Sequence, residues 1–262
     1  LITCDISGYG ESPDVADKKA YDLLVQAESG LVGISGSPNE LGRIGVSMVD
    51  AGTGMTAYYG VLEAIIQRGI TGKGSGVRVS LFDVAADWMT VPLTQHDFGA
   101  GGPTRVGLKH PTIAPYGAFE TSDGSLTLIS IQNEREWVRL CDQALGSPEM
   151  ATDTRFDSNA NRVANRDALE SDMNRIIGAL DQSTFQSGLA DASIAYGNVS
   201  SLADLSSHPA LRRRTVHTST GQTVELPAHP VRWTELPGMV DRPGGRVPTI
   251  GEHTDTIRAE FA

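Results

Sequence analysis

The chain has 262 residues, 39% hydrophobic and 20% charged, with a formal net charge of -11, a pI of about 4.9 and a mean hydropathy of -0.17. That acidity argues against general nucleic-acid binding, which needs a basic face, although it leaves room for an anionic small molecule held by a local field. No apolar stretch approaches the roughly 18–20 residues of a membrane span, and the two cysteines, Cys4 and Cys141, form no CxxC, which fits a reduced, cytoplasmic protein.

In chain order, Leu1–Ile6 reads as a strand already under way, with no initiator Met and no signal-peptide pattern. An upstream segment is therefore expected. Ser7-Gly8-Tyr9-Gly10 reads as a turn, Tyr21–Gly30 as a helix stopped by glycine, and Gly33–Leu41 as loop. Thr53–Arg68 has Met55, Tyr58, Tyr59, Leu62 and Ile66 at spacings of three and four, which predicts a helix ending at Gly69. A turn at Thr71–Gly76, a strand at Val77–Phe82 and a helix from Asp83 to Met89 follow. Strand, helix, turn and strand together predict an α/β arrangement with a parallel sheet.

Between Val91 and Pro115 the chain is rich in glycine and proline, as a long linker or active-site loop would be. Gly117–Thr121 and Leu126–Ile131 flank Ser122-Asp123-Gly124-Ser125, a hairpin signal. Glu134–Leu145, Asn165–Leu180 and Ser183–Ala190 read as short helices of a small α+β domain. Val216–Val231 reads as a hairpin turning at Gly221, Pro237–Pro248 as extended coil, and Gly251–Asp255 as the lead into a last short helix.

Asp50 is the candidate with the most chemistry around it. It ends the apolar run Ile44–Val49 and precedes Gly52 and Gly54. Asp is a common helix N-cap. A carboxylate at a glycine-flanked helix start can equally be a nucleophile that substrate approaches closely. The residues alone leave both readings open. There is no dinucleotide fingerprint, no Walker loop and no HExxH, and the histidines show no i,i+4 pair, so a catalytic metal is not expected.

The ordered series Ser7-Gly8-Tyr9-Gly10, Tyr21-Asp22, Gln26-Ala27, Ser29-Gly30, Arg43-Ile44-Gly45, Asp50 with Gly54, Arg68-Gly69, Thr71-Gly72-Lys73-Gly74, Ser80-Leu81-Phe82-Asp83 and Gly251-Glu252-His253-Thr254-Asp255 resembles the class III (CaiB/BaiF-type) CoA-transferases. The series covers nearly the whole chain. The resemblance implies a Rossmann-like large domain, here its C-terminal part at residues 1–92, and a linker at 93–115. A small α+β domain at 116–205 and a linker returning to the large domain at 206–262 would follow. It also implies an interlocked homodimer, and family residues ahead of the Ser-Gly-Tyr-Gly turn that form much of the CoA pocket.

For chemistry, the resemblance implies Asp50 as nucleophile, moving CoA between an acyl-CoA donor and a small carboxylic acid through an aspartyl anhydride and an aspartyl-CoA thioester. Coenzyme A enters as substrate, and no permanently bound cofactor is expected. Free amides at the helix start are expected to steady a developing oxyanion. Ser7, Gly8, Tyr9 and Leu81 are expected near CoA, and Gly52, His110 and Tyr116 near the acyl substrate. Some relatives carry a glycine run near His110–Tyr116 that this chain lacks. Two rivals stand beside this reading. One is a 2-methylacyl-CoA racemase, whose relatives have a His-Asp dipeptide where this chain has Tyr21-Asp22. The other is a non-catalytic CoA-binding subunit.

Overall fold

The computed structural model describes residues 1–99, 101–232 and 245–262. They form two units, Leu1–Asn198 and Val199–Ala262.

The first unit begins with β1 (Thr3–Ser7), which leads through a bend into α1 (Asp22–Glu28) and the single turn α2 (Leu31–Ile34). A minimal hairpin of β2 (Gly36–Ser37) and β3 (Glu40–Leu41) lies within the expected loop. The long helix α3 (Met48–Thr71) then runs to β4 (Gly76–Ser80). β1 and β4 pair in parallel, from Thr3 opposite Gly76 to Ser7 opposite Ser80. This is the parallel pairing that the strand–helix–strand pattern predicts.

α3 departs from the sequence expectation at both ends. It starts at Met48, not Thr53, so Asp50 and Gly52 lie inside it. It runs through Gly69 and stops at Gly72, whose φ of 72° is the left-handed conformation that closes a helix at low cost. Its faces also sort unexpectedly. Val49, Gly52, Thr53, Ala57 and Ala64 are buried, while Met55, Tyr58, Tyr59, Leu62 and Ile66 are exposed. The small residues let the helix lie close against its neighbours, and the large apolar stripe faces outward.

Ser80 caps α4 (Leu81–Trp88) by accepting a hydrogen bond from the Asp83 amide. A second helix, α5 (Thr90–Phe98), occupies the start of the expected linker. The segment after it is tied down by Arg105, whose guanidinium donates to the carbonyls of Gly33, Ser37 and Pro38.

β5 (Tyr116–Glu120) and β6 (Leu126–Ser130) form the expected antiparallel hairpin. Helix α6 (Glu134–Arg139) continues into a wide turn at Leu140–Ala144. Helices α7 (Asn159–Ala164), α8 (Arg166–Ile177) and α9 (Gln182–Asp191) follow, and β7 (Tyr196–Asn198) pairs with β6. A large core of Phe119, Ile129, Trp137, Leu140, Phe156, Leu169, Met173, Phe185 and Leu189 fills this part. A smaller core of Tyr9, Val25, Val49 and Ala85 knits α1, α3 and α4 together.

The second unit has α10 (Leu202–Ser207), the hairpin β8 (Arg213–His217) with β9 (Thr223–Pro227), and α11 (Thr254–Glu260). The hairpin turns at Gly221, as expected. Of the coil expected at 237–248, residues 237–244 lie outside the described residues.

Candidate active site

The first turn of α3 is built by residues far away in sequence. Asp22, at the start of α1, is 8% exposed. Its Oδ2 accepts hydrogen bonds from the amides of Val49 at 2.7 Å and Asp50 at 3.2 Å. Its Oδ1 accepts from Gln26 Nε2 at 2.5 Å. Gln26 is wholly buried, and its Oε1 accepts from the Ile44 amide at 3.1 Å while Nε2 reaches the Ile44 carbonyl at 3.4 Å. One turn of α1 therefore grips both the start of α3 and the Arg43-Ile44-Gly45 segment before it. A charged acceptor on helix N-terminal amides is strongly favoured, because those amides otherwise lack partners and sit at the positive end of the helix dipole.

This network bears on the cap reading of Asp50. The capping carboxylate of α3 is Asp22, supplied from outside the helix, and Ser47 at the N-cap position makes no side-chain bond to it. Asp50 is the third residue of α3, exposed, and only its amide is bonded to Asp22. Among the described residues its carboxylate has no hydrogen-bond or ion-pair partner. Asp50 is not a cap.

The expectation of free oxyanion-binding amides fails on the same geometry. The Met48 amide donates to the Val46 carbonyl at 2.7 Å and the Ala51 amide to the Ser47 carbonyl at 3.0 Å. With Val49 and Asp50 donating to Asp22, the first turn of α3 has no spare amide to offer.

The other expected residues distribute over three places. Ser7, at the end of β1, accepts from the Gly10 amide and lines a cleft of about 230 Å³ with Asp5, Arg78, Ser80 and Asp83. Gly8 and Tyr9 follow it into the structure. Gly8 lies against Ala20, and its carbonyl receives the Phe82 amide. Tyr9 is 8% exposed and belongs to the small core, its ring 5.9 Å from Phe82 and 4.8 Å from the Lys18 ammonium. Burial, and then the Glu28 carboxylate, raise its pKa above the usual phenol value. Leu81 packs on the same core.

Gly52 faces Trp88 of α4: a Cβ there would stand 2.3 Å and 2.4 Å from ring carbons Cζ2 and Cη2. That contact accounts for the glycine, which leaves α3 and α4 no room for a side chain. His110 and Tyr116 do come together, with ring centroids 5.4 Å apart. Their segment is gripped from α7 and α8. Arg166 donates to the carbonyls of His110 and Ile113, Arg162 to that of Ala114 and Asn159 to that of Thr112. No hydrogen bond or ring contact among the described residues joins this pair to Asp50.

Asp22 and Gln26 are the residues that sequence reasoning missed as part of the site. Their i,i+4 spacing on one helix face was readable. Their partners, 28 and 18 residues further along the chain, were not.

No group of three or more His, Cys, Asp and Glu among the described residues is arranged to hold a metal, and no described helix is long and apolar enough to cross a membrane.

A family model described as CoA-transferase family III matches residues 1–254. Acetyl-CoA:oxalate CoA-transferase from Acetobacter aceti is 31% identical over 264 residues, covering 100% of this chain and 67% of that protein. Mouse succinyl-CoA:glutarate CoA-transferase is 29% identical, covering 99% of this chain and 60% of the relative. Among solved structures, a CaiB/BaiF family protein from Brucella suis superposes with a TM-score of 0.79 at 28% identity, covering 100% of this chain and 68% of that one. The chain thus spans about two thirds of the length of the proteins it matches, and with a family match over residues 1–254 it belongs to CoA-transferase family III.

Proposed function

We propose that this chain carries the nucleophile-bearing part of an acyl-CoA:carboxylate CoA-transferase, with Asp50 as the attacking carboxylate. The observation that carries the reading is the division of labour at α3. The structural work of a carboxylate at that helix start is done by Asp22, and the Asp50 carboxylate is left exposed, without a partner among the described residues. A surface acid with no structural task, one residue from a buried supporting network, is what covalent carboxylate catalysis needs. The named activities of the acetyl-CoA:oxalate and succinyl-CoA:glutarate relatives support the same chemistry.

The exchange runs in balanced steps. An Asp50 oxygen attacks the thioester carbonyl of the donor, the C–S bond breaks, and CoA leaves as thiolate. The thiolate attacks the aspartyl carbonyl of the mixed anhydride, releasing the donor acid and leaving an aspartyl-CoA thioester. The acceptor carboxylate attacks that thioester carbonyl and expels the thiolate again, forming a second anhydride. The thiolate then takes the acceptor acyl group, and Asp50 returns as carboxylate. Neither an external base nor a metal is needed, since every attacking group is already an anion.

In this reading residues 1–92 belong to the large domain, 93–115 link to a small domain at 116–205, and 206–262 return. The working enzyme is a soluble, cytoplasmic homodimer. Ser7 with Gly8, Tyr9 and Leu81 lies toward the CoA side, although Tyr9 and Leu81 act from the core beneath it. The donor and acceptor are small acyl-CoA and carboxylic acid molecules of the oxalate, glutarate or mesaconate type that the relatives use. An acyl-CoA racemase needs an acid–base pair across the α-carbon. Tyr21 stands where such relatives have His, and Asp22 is committed to α3, so transfer is the better account.

The test is incubation with a panel of acyl-CoA thioesters and hydroxylamine, followed by peptide mass spectrometry. A hydroxamate on Asp50 supports the mechanism, whereas turnover with the label elsewhere, or none, refutes it. Solvent deuterium appearing at the α-carbon of the thioester would support the racemase instead.

A further inference from the structure

The geometry points to Asp22 and Gln26 as positioning residues for Asp50, acting through its backbone and through Ile44; the inference rests on the reading of Asp50 as nucleophile. Because the Asp50 carboxylate has no side-chain partner among the described residues, its place is set by its own peptide, and that peptide donates to Asp22. The same Asp22 oxygen holds the Val49 amide, and its other oxygen holds Gln26. Gln26 in turn takes the Ile44 amide. One buried network therefore fixes the helix turn that bears the nucleophile and the loop that leads into it.

The network has a fixed polarity, which makes it testable. Gln26 Oε1 is committed to the Ile44 amide, so its NH2 must point at Asp22. In Asp22→Asn the single carbonyl oxygen can stay on the Val49 and Asp50 amides. Its new NH2 then meets the NH2 of Gln26, donor against donor. Flipping Gln26 relieves that clash only by turning its NH2 toward the Ile44 amide and leaving that half-buried amide without its acceptor, which is costly beside a wholly buried glutamine. Adding Gln26→Glu reverses the polarity. The amide NH2 introduced on α1 then donates to one oxygen of the introduced carboxylate, the other oxygen keeps the Ile44 amide, and the net charge of the pair is restored. Only the 3.4 Å contact to the Ile44 carbonyl is given up.

The experiment measures single-turnover acylation of Asp50 in the full-length protein, with succinyl-CoA and acetyl-CoA as probes and hydroxylamine as trap, beside the unfolding midpoint. Displacing a reacting atom by about 1 Å costs on the order of 100-fold in rate. We expect Asp22→Asn to slow acylation at saturating thioester on that scale, with the half-saturating thioester concentration unchanged. D22N/Q26E should recover most of the loss. A purely structural role would lower the midpoint and leave the rate per folded molecule intact, and that result overturns the proposal. So does a double variant no faster than D22N. If D22N does not fold, Gln26→Met carries the test by breaking only the Ile44 link, and a wild-type acylation rate in it overturns the proposal. Wild-type protein that is never labelled on Asp50 removes the nucleophile reading and this proposal with it. A labelled wild type with unimpaired D22N removes this proposal alone.

Discussion

Loss of Arg162 should cost the large core around Trp137 and Phe156 heavily. The Arg162 side chain is 1% exposed. Nε donates to the Ala114 carbonyl at 2.7 Å, Nη1 to the Phe156 carbonyl at 3.0 Å and to Glu134 at 2.7 Å, and the guanidinium lies 5.0 Å from the Trp137 ring. In Arg162→Met the two carbonyls, both on fully buried residues, lose a charged donor, at about 1–3 kcal/mol each. The ring contact adds about 1 kcal/mol. The Glu134 side chain is 52% exposed and rehydrates, so its share is small. Methionine recovers about 1–2 kcal/mol of apolar burial. At mid-range these contributions leave a net loss of about 3–4 kcal/mol, a fall in Tm of about 6–16 °C for a chain of this size. Urea unfolding followed by circular dichroism and by Trp fluorescence reads it. Glu134→Gln should cost less than Arg162→Met, because the glutamine oxygen still accepts from the guanidinium and both buried carbonyls keep their donor. An Arg162→Met variant within about 1 kcal/mol of wild type, or a Glu134→Gln variant as damaged as Arg162→Met, would refute the assignment of the loss to the buried carbonyls.

Three further outcomes follow from the geometry. Gly52→Ala forces a methyl into Trp88 and should destabilise by about 1–3 kcal/mol, less about 1 kcal/mol gained in helix propensity. Trp88→Leu should turn the same change neutral or stabilising in a double-mutant cycle, and additivity would reject the contact. Cys4 is exposed, whereas burial pushes the Cys141 thiol up to about 12, so a disulfide exchange reagent should modify Cys4 alone in the folded protein. Asp123 accepts hydrogen bonds from Thr121, Gln182 and Ser125, which hold its carboxyl at about 2, down from 3.8. A lowered folded value contributes stability that is present above pH 3.8 and is lost as the pH falls toward about 2. The difference in urea midpoint between wild type and Asp123→Asn should therefore shrink from pH 5 to about pH 2. A constant difference contradicts that.

What could be read from the sequence was what local residues decide. The β5–β6 hairpin was legible because Thr121–Ser125 carries its own turn chemistry, with Asp123 bonded back to Thr121 and Ser125. The end of α1 was legible from Ser29-Gly30. Ser80 with Asp83 three residues on also carried a cap signal, yet the helix was expected to start at Asp83 and not at Leu81.

The start of α3 was not legible, because its cap comes from Asp22 and no short window contains both partners. The helical period of Met55, Tyr58, Tyr59, Leu62 and Ile66 was correct, but period does not say which face is covered. Here the covered face is the one with the small residues, which close packing against α4 and β4 requires. The reading of Gly52 as room for substrate missed for the same reason, since Trp88 is brought to it only by the fold. At the candidate site, the order of motifs singles out Asp50, whereas the network that holds its helix turn was not legible.

The most direct measurement is transfer by Asp50→Asn set beside its thermal midpoint. Asparagine keeps the size of the side chain, and Asp50 makes no side-chain bond that holds α3. A Tm within about 4 °C of wild type is expected, since the helix-dipole contribution of one exposed first-turn acid is under about 1 kcal/mol. Transfer should fall by roughly 1,000-fold or more, because the covalent route is gone. Transfer at a wild-type rate from folded Asp50→Asn protein would contradict that route.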